Sequence, residues 1–300
     1  MSLPKNDIKK KISIVILCAG KGTRLKKITR NLPKPLIRIE VLNNISILHH
    51  IINNLIKLGT RQIGIVVGYL GNTIREFISK LERNYPVMQN KLIILDTKNQ
   101  YKYGSLYSFL SIIKNKDFFT SRNHYLVIPG DTIFDYNILK DVLSITSKKI
   151  DLICNHPIVF YRTTGLKPLK ERYSKNRIIS SAEITKVGSE IVLKKISRLK
   201  IKEIRSKDVL NQIIPITALS YESINEMLDL NRESQNTTIW QTLNNMIFNG
   251  KKILVFNIEN KYDFYDIDYL SDIKKIKKKK RTIGAPINLG VIDSKELKKE

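Results

Sequence analysis

The chain has 300 residues, an ordinary 42% hydrophobic content, two cysteines and a net charge of +26. That length and apolar content suffice for a buried core without a metal or disulfide staple, and they exclude wholesale disorder. No run of 18 or more apolar residues occurs, which excludes a membrane-spanning helix, and Cys18 and Cys154 have no metal-ligand spacing.

The elements follow in chain order. Residues 1–11 are a polar, basic extension, and the short apolar run after them makes a poor secretory signal. Ile12–Leu17 is a buried-strand run, followed by a polar loop over Gly20–Leu32. Ser46–Leu58 carries Ile47, Leu48, Ile51, Ile52, Leu55 and Ile56 at helical spacing. Ile63–Val67 is a strand, and Asn72–Leu81 a helix with Ile74, Phe77, Ile78 and Leu81 on one face. Leu92–Leu95 is a strand, Ser105–Ile113 a helix, Tyr125–Ile128 a strand, Asn137–Ile145 a helix and Leu152–Cys154 a strand. Such alternation marks a βαβ protein with a mostly parallel mixed sheet.

Residues 156–212 read as a lysine-rich, β-rich insertion, with a turn at Lys186-Val187-Gly188-Ser189. Regular pattern resumes with strand Ile213–Leu219, helices Ser223–Leu230 and Ile239–Phe248, strand Ile253–Ile258 and helix Ile267–Ile276. The body of the fold is therefore expected over 12–276, with a basic tail over 277–300. His49, His50, His124 and His156 form no nucleophile pair or ligand spacing and read as packing or surface residues.

The charge favours anionic partners such as nucleotides, phosphorylated metabolites or nucleic acid. Residues 1–36 hold ten Lys/Arg against Asp7 alone, and 274–281 hold seven basic residues in eight. A solvated lysine surface is the competing explanation. The 274–281 run has no interleaved aromatic residue, which argues against nucleic-acid binding.

Two constellations carry chemistry. Gly20 and Gly22 directly after a buried strand allow backbone N–H groups to approach phosphate oxygens, and Arg24 and Lys34 can add charge-assisted contacts. The loop is neither a Walker A loop nor G-x-G-x-x-G. Gly130-Asp131 closes an apolar strand, where α/β sheets place ligands and where a carboxylate suits Mg²⁺.

Gly20-Lys-Gly-Thr-Arg-Leu25, Thr29 and Pro33-Lys-Pro-Leu36 together resemble the N-terminal motif of the nucleotidyltransferases. That family includes sugar-1-phosphate nucleotidylyltransferases and small phosphoalcohol cytidylyltransferases. The resemblance implies a Rossmann-like three-layer α/β/α nucleotidyltransferase fold. It implies Ala19, Gly20, Gly22 and Thr23 around the nucleotide, Arg24 and Lys34 on its phosphates, and Asp131 on Mg²⁺. A second metal carboxylate falls in Tyr265-Asp-Ile-Asp268, where the family's motif variants align with either Asp266 or Asp268. Tyr101–Ser108 keeps a glycine and a hydroxyl, Gly104-Ser105, at the family's base-contacting segment. Leu106-Tyr107-Ser108 is closer to the phosphoalcohol branch, so Tyr107 is expected on the acceptor. The family's E-K-P motif is not visible in 180–200; Ser197-Arg198 stands in its place, making Arg198 the candidate acceptor-phosphate clamp.

The implied reaction transfers a nucleotidyl group from an NTP (UTP, CTP or dTTP) to a sugar-1-phosphate type of acceptor, with release of pyrophosphate. The alternative is a CTP-dependent cytidylyltransferase acting on an inositol-phosphate or phosphocholine type of phosphoalcohol. A catalytically silent homologue and a basic nucleic-acid-binding protein are the competing classes. A cytoplasmic location is expected, and a homo-oligomer stays open.

Overall fold

The computed structural model describes residues 12–277 except Lys175 and Ser206. The N-terminal extension, nearly all of the C-terminal tail and the second half of the 274–281 run lie outside them. The strands are β1 (Ile12–Leu17), β2 (Arg38–Ile39), β3 (Ile45–Ser46), β4 (Ile63–Val67), β5 (Leu92–Asp96), β6 (His124–Pro129) and β7 (Thr132–Phe134). Then follow β8 (Ile158–Gly165), β9 (Ile178–Val187), β10 (Glu190–Lys200), β11 (Val209–Ser220), β12 (Leu254–Asn257) and β13 (Phe264–Asp266).

Nine of these strands form one sheet in the order β5-β4-β1-β6-β11-β8-β12-β10-β9. The first four are mutually parallel, with Ile14 of β1 opposite Ile63 and Leu126. Antiparallel pairing enters with β11, which runs against both β6 and β8. The sheet is thus mixed, its parallel half made by the βαβ units of the first 130 residues.

Strand alternation makes the three layers. Ile12, Ile14 and Ile16 of β1 point into one core and Val15 into the other. The first core is covered by the helices Ile47–Lys57, Gly71–Asn84 and Tyr136–Lys148. The second is covered by Ser105–Leu110, Tyr221–Ser234 and Ile239–Phe248. Helix starts follow local capping chemistry: the Ser46 hydroxyl accepts from the His49 N–H, and Thr238 and Gln241 form a capping box.

One expected element changes type. Leu152–Cys154 is not a strand but the middle of the helix Ile150–Asn155. Three apolar residues are too few to separate the two periodicities, and the strand starts later, at Ile158. Ile158–Gly165 then lies between β11 and β12, so the lysine-rich stretch contributes a strand to the middle of the sheet. The β9–β10 hairpin closes at Gly188-Ser189, with Gly188 at φ 61°. Among the described residues no helix is long and apolar enough to cross a membrane.

Candidate active site

The site forms at the carboxyl ends of β1 and β6. Gly130 passes close under the first loop: its N–H donates to the Leu17 carbonyl at 2.9 Å. A Cβ there would come within 2.5 Å of Cys18 Sγ, so the approach requires glycine. The glycine loop is folded on itself, with the Thr29 hydroxyl donating to the Gly22 carbonyl at 2.9 Å. Gly22 takes φ 60°, and Pro33 opens the single turn that presents Lys34.

A small second sheet brings the last carboxylates to this point. β13 pairs antiparallel with β7, with Asp266 opposite Thr132, and the Ile267 N–H donates to the Asp131 carbonyl at 3.2 Å. As a result Asp131 and Asp268 share one ammonium. Lys34 Nζ donates to Asp131 Oδ2 at 2.5 Å and to Asp268 Oδ1 at 2.8 Å. Arg24 Nη1 lies 2.5 Å from Asp268 Oδ2. These residues, with Leu17, Cys18, Gly20, Gly22, Thr23 and Pro35, line one cavity of about 210 Å³.

Burial disfavours the Lys34 charge, but Asp131 and Asp268 outweigh it and hold the ammonium pKa above its ordinary value. Burial likewise opposes ionisation of Asp268, yet Lys34, Arg177 and Arg24 bring its pKa below the usual carboxylate range. Asp266 goes the other way: burial raises it, and Arg177 and the Thr132 hydroxyl only partly compensate. Both Asp266 oxygens are engaged, Oδ1 by Thr132 at 2.6 Å and Oδ2 by Arg177 at 3.2 Å. Asp268 shares Lys34 with Asp131 and lines the first cavity with it, whereas Asp266 lines the second. The Cys18 thiol is pushed well up by burial and then by Asp131.

A second cavity of about 280 Å³ adjoins the first and shares Arg24 and Asp268 with it. Arg177, Arg198, Trp240 and Tyr269 lie on its wall. Arg198 is exposed and makes no ion pair among the described residues. The β11–β8 register shifts between Ile214 and Thr217, around Pro215, which also lines this cavity.

Arg177 is the residue the sequence reading missed. It sits just before β9 and its guanidinium meets Asp268 at 2.6 Å, Asp266 at 3.2 Å and Asp272 at 3.4 Å. Asp272 in turn accepts the N–H groups of Asp268 and Tyr269, which fixes the turn into the helix Leu270–Lys277. No local signal separates Arg177 from the basic residues around it. Trp240 of the helix Ile239–Phe248 also reaches the second cavity.

Of the expected site residues, Gly20, Gly22, Thr23, Arg24, Lys34, Asp131 and Asp268 converge on the first cavity. Ala19 is buried beneath it, its carbonyl accepting from the Tyr69 N–H at 3.1 Å. Asp266 and Arg198 line the second cavity. Gly104 and Ser105 line neither cavity; Gly104, at φ 124°, packs against Thr237 as the helix start. Tyr107 also lines neither and instead lies 5.5 Å, ring to ring, from Tyr103.

Among the described residues no three His, Cys, Asp or Glu side chains are grouped to hold a metal by themselves. Asp131 and Asp268 nevertheless supply hard oxygen ligands at adjoining positions, the donor type that Mg²⁺ takes together with phosphate oxygens.

Comparison with known proteins agrees with this architecture. Over 138 residues the chain is 30% identical to the 2-aminoethylphosphonate cytidylyltransferase of Lancefieldella rimae, covering 45% of this chain and 51% of that protein. The matched region spans about half the length of the curated relatives. The fold is that of a UDP-glucose pyrophosphorylase solved with UDP-glucose (TM-score 0.64, 17% identity, covering 90% of this chain and 99% of that one). It is also that of the inositol-1-phosphate CTP transferase from T. maritima (TM-score 0.60, 17% identity, 92% and 98%). Residues 13–156 match the family described as Nucleotidyl transferase. The glycine loop, Lys34 and Asp131 all fall inside these matched residues, just under half of the chain, and this half is similar to the nucleotidyl transferase family.

Proposed function

We propose that the chain transfers a nucleotidyl group from an NTP to a phosphomonoester. The observation that carries this is the meeting of Lys34, Asp131 and Asp268 beside the glycine loop. An oxygen of the acceptor phosphate attacks the α-phosphorus in line, the bond to the bridging oxygen of the β-phosphate breaks, and pyrophosphate leaves with that oxygen. The attacking phosphate is already ionised, so no general base is needed, in keeping with the absence of a His or Cys pair in the described site.

Catalysis then rests on positioning and on charge placed in advance. Arg24 and Lys34 bind the β- and γ-phosphates and the charge that develops on the leaving pyrophosphate. Gly20 and Gly22 let the backbone approach the phosphates, and Thr23 borders them. Asp131 and Asp268 would hold a divalent cation such as Mg²⁺, whose chemistry there is neutralisation of the triphosphate. Arg198 holds the acceptor phosphate from the second cavity, since a guanidinium matches phosphate bidentately.

The sugar-1-phosphate type is the acceptor most of this family suggests. A phosphoalcohol type, with CTP as donor, is the second reading and has one structural argument. The second cavity is lined by Trp240, Tyr269 and Phe264 beside its arginines, and Ser180 and Gln212 are its neutral polar side chains other than the rings. Gln212 already accepts from Arg162 at 3.0 Å, which leaves little to satisfy a ring of hydroxyls. The relative named for 2-aminoethylphosphonate points the same way.

A pyrophosphate-release screen tests both readings. Four NTPs are paired with hexose-1-phosphates, inositol-1-phosphate, phosphocholine and 2-aminoethylphosphonate. Release with any pair supports nucleotidyl transfer, and release with none contradicts it. Glucose-1-phosphate outrunning every phosphoalcohol by more than about tenfold, roughly 1.4 kcal/mol, rules out the second reading.

A further inference from the structure

Lys34 stands where the proposed reaction requires a metal. Its Nζ is within 2.5 Å of Asp131 and 2.8 Å of Asp268, and the residue is 7% exposed. The other oxygen of Asp268 carries Arg24 at 2.5 Å and Arg177 at 2.6 Å. Asp268 is thus engaged on both oxygens, and Asp131 on one. A divalent cation approaching the pair meets an ammonium already there, and like charges at such range repel strongly. An ammonium on a flexible four-carbon stem can move a few ångströms to a new anion, whereas the backbone carrying the two carboxylates is tied by the Ile267 N–H to Asp131 carbonyl bond and by the Asp268 N–H to Asp272 bond.

We propose that Lys34 is the resident counter-cation of the Asp131–Asp268 pair and makes metal binding depend on the nucleotide. Without NTP, the ammonium keeps the carboxylates together and excludes a divalent cation. With NTP, the β- and γ-phosphates offer the ammonium a competing anion, and the carboxylates become available to the metal. The inference rests on the nucleotidyl-transfer reading, but it makes a separate demand on the chain without nucleotide.

The test measures binding of Mn²⁺ alone, by the electron paramagnetic resonance of the free ion. It compares the wild-type chain, Lys34→Met, Lys34→Gln and the double variant Lys34→Met/Asp131→Asn. Removing one like charge that competes for the same oxygens is expected to tighten Mn²⁺ binding by about tenfold or more in both single variants. The double variant is expected to lose that gain, which places the ion at this pair. Thermal unfolding checks each variant's fold, and Lys34→Gln, with its polar end, carries the test if Lys34→Met does not fold. Single variants that bind Mn²⁺ no more tightly than wild type overturn the proposal, as does a gain that survives in the double variant. Failure of the pyrophosphate screen with these binding results intact would sink the reaction and leave the role of Lys34 standing.

Discussion

Arg177 and Asp268 lie 91 positions apart in sequence and meet at 2.6 Å, where the start of β9 touches the turn into the helix Leu270–Lys277. Through this contact the hairpin side of the fold holds a carboxylate that also faces the glycine loop. The Arg177 guanidinium is almost fully buried and spans Asp266 as well as Asp268, a bridging geometry that a lysine cannot reproduce. Arg177→Met is expected to lower kcat by about 10²-fold, the scale of losing one preorganised electrostatic group. Arg177→Lys should restore part of the loss. Equal rates in wild type and a folded Arg177→Met would limit the residue to stability.

The glycine-loop side chains give a second prediction. Arg24→Ala and Lys34→Ala should each lower kcat/KM by roughly 10²-fold or more, as removal of a charge aimed at the leaving group does. Steady-state kinetics with NTP varied checks this, and unchanged kinetics would remove these residues from the phosphate site.

Arg198 gives a third. With no ion-pair partner among the described residues, it is free to take the acceptor phosphate. Arg198→Ala should raise the KM for the acceptor by about tenfold, the cost of one charge-assisted contact, and leave the KM for NTP unchanged. A change confined to the NTP would place Arg198 on the other substrate.

His49 gives a prediction about pH. Its ring lies between Phe77 and Tyr85, and burial, then His50 and Arg38, lower its pKa from 6.5 to about 4. The unfolded chain therefore takes up a proton at His49 at a higher pH than the folded one. Stability from this residue is fully present above 6.5 and is lost as pH falls toward about 4. Urea midpoints should drop between pH 7 and pH 5, and His49→Phe should reduce that drop. His50, also lowered by burial, leaves part of the slope in place. An identical drop in His49→Phe would contradict the assignment.

Much of this arrangement can be read from short-range pattern. A buried strand running into Gly20 and Gly22, and another into Gly130-Asp131, each place their chemistry at a strand end, and the sheet pairs those two strands side by side. The helix over Ile47–Lys57 follows from its apolar spacing and from Ser46. Other features depend on contacts no local window contains. Arg177 differs from its basic neighbours only through Asp266, Asp268 and Asp272, which arrive some ninety residues later. The surroundings of Asp266 differ from those of Asp268 through Thr132, which donates to Asp266 across the β7–β13 pairing. Tyr107 sits at an acceptor-like position in the motif, yet the helix that carries it turns the ring toward Tyr103. Leu152–Cys154 was ambiguous because three residues support either period.

In the proposed reaction Asp131 serves pyrophosphate-releasing transfer and not merely the ion pair with Lys34. The most direct test of this role is pyrophosphate release by Asp131→Asn, with the NTP and acceptor that the wild-type chain uses and thermal unfolding followed in parallel. The carboxylate is 35% exposed and lies at the cavity rim, so the amide should be tolerated by the fold. A loss of about 10²-fold or more in rate is expected with unfolding little changed, since a contact to the transferring phosphoryl group is worth several kcal/mol. Wild-type rates in folded Asp131→Asn would contradict it.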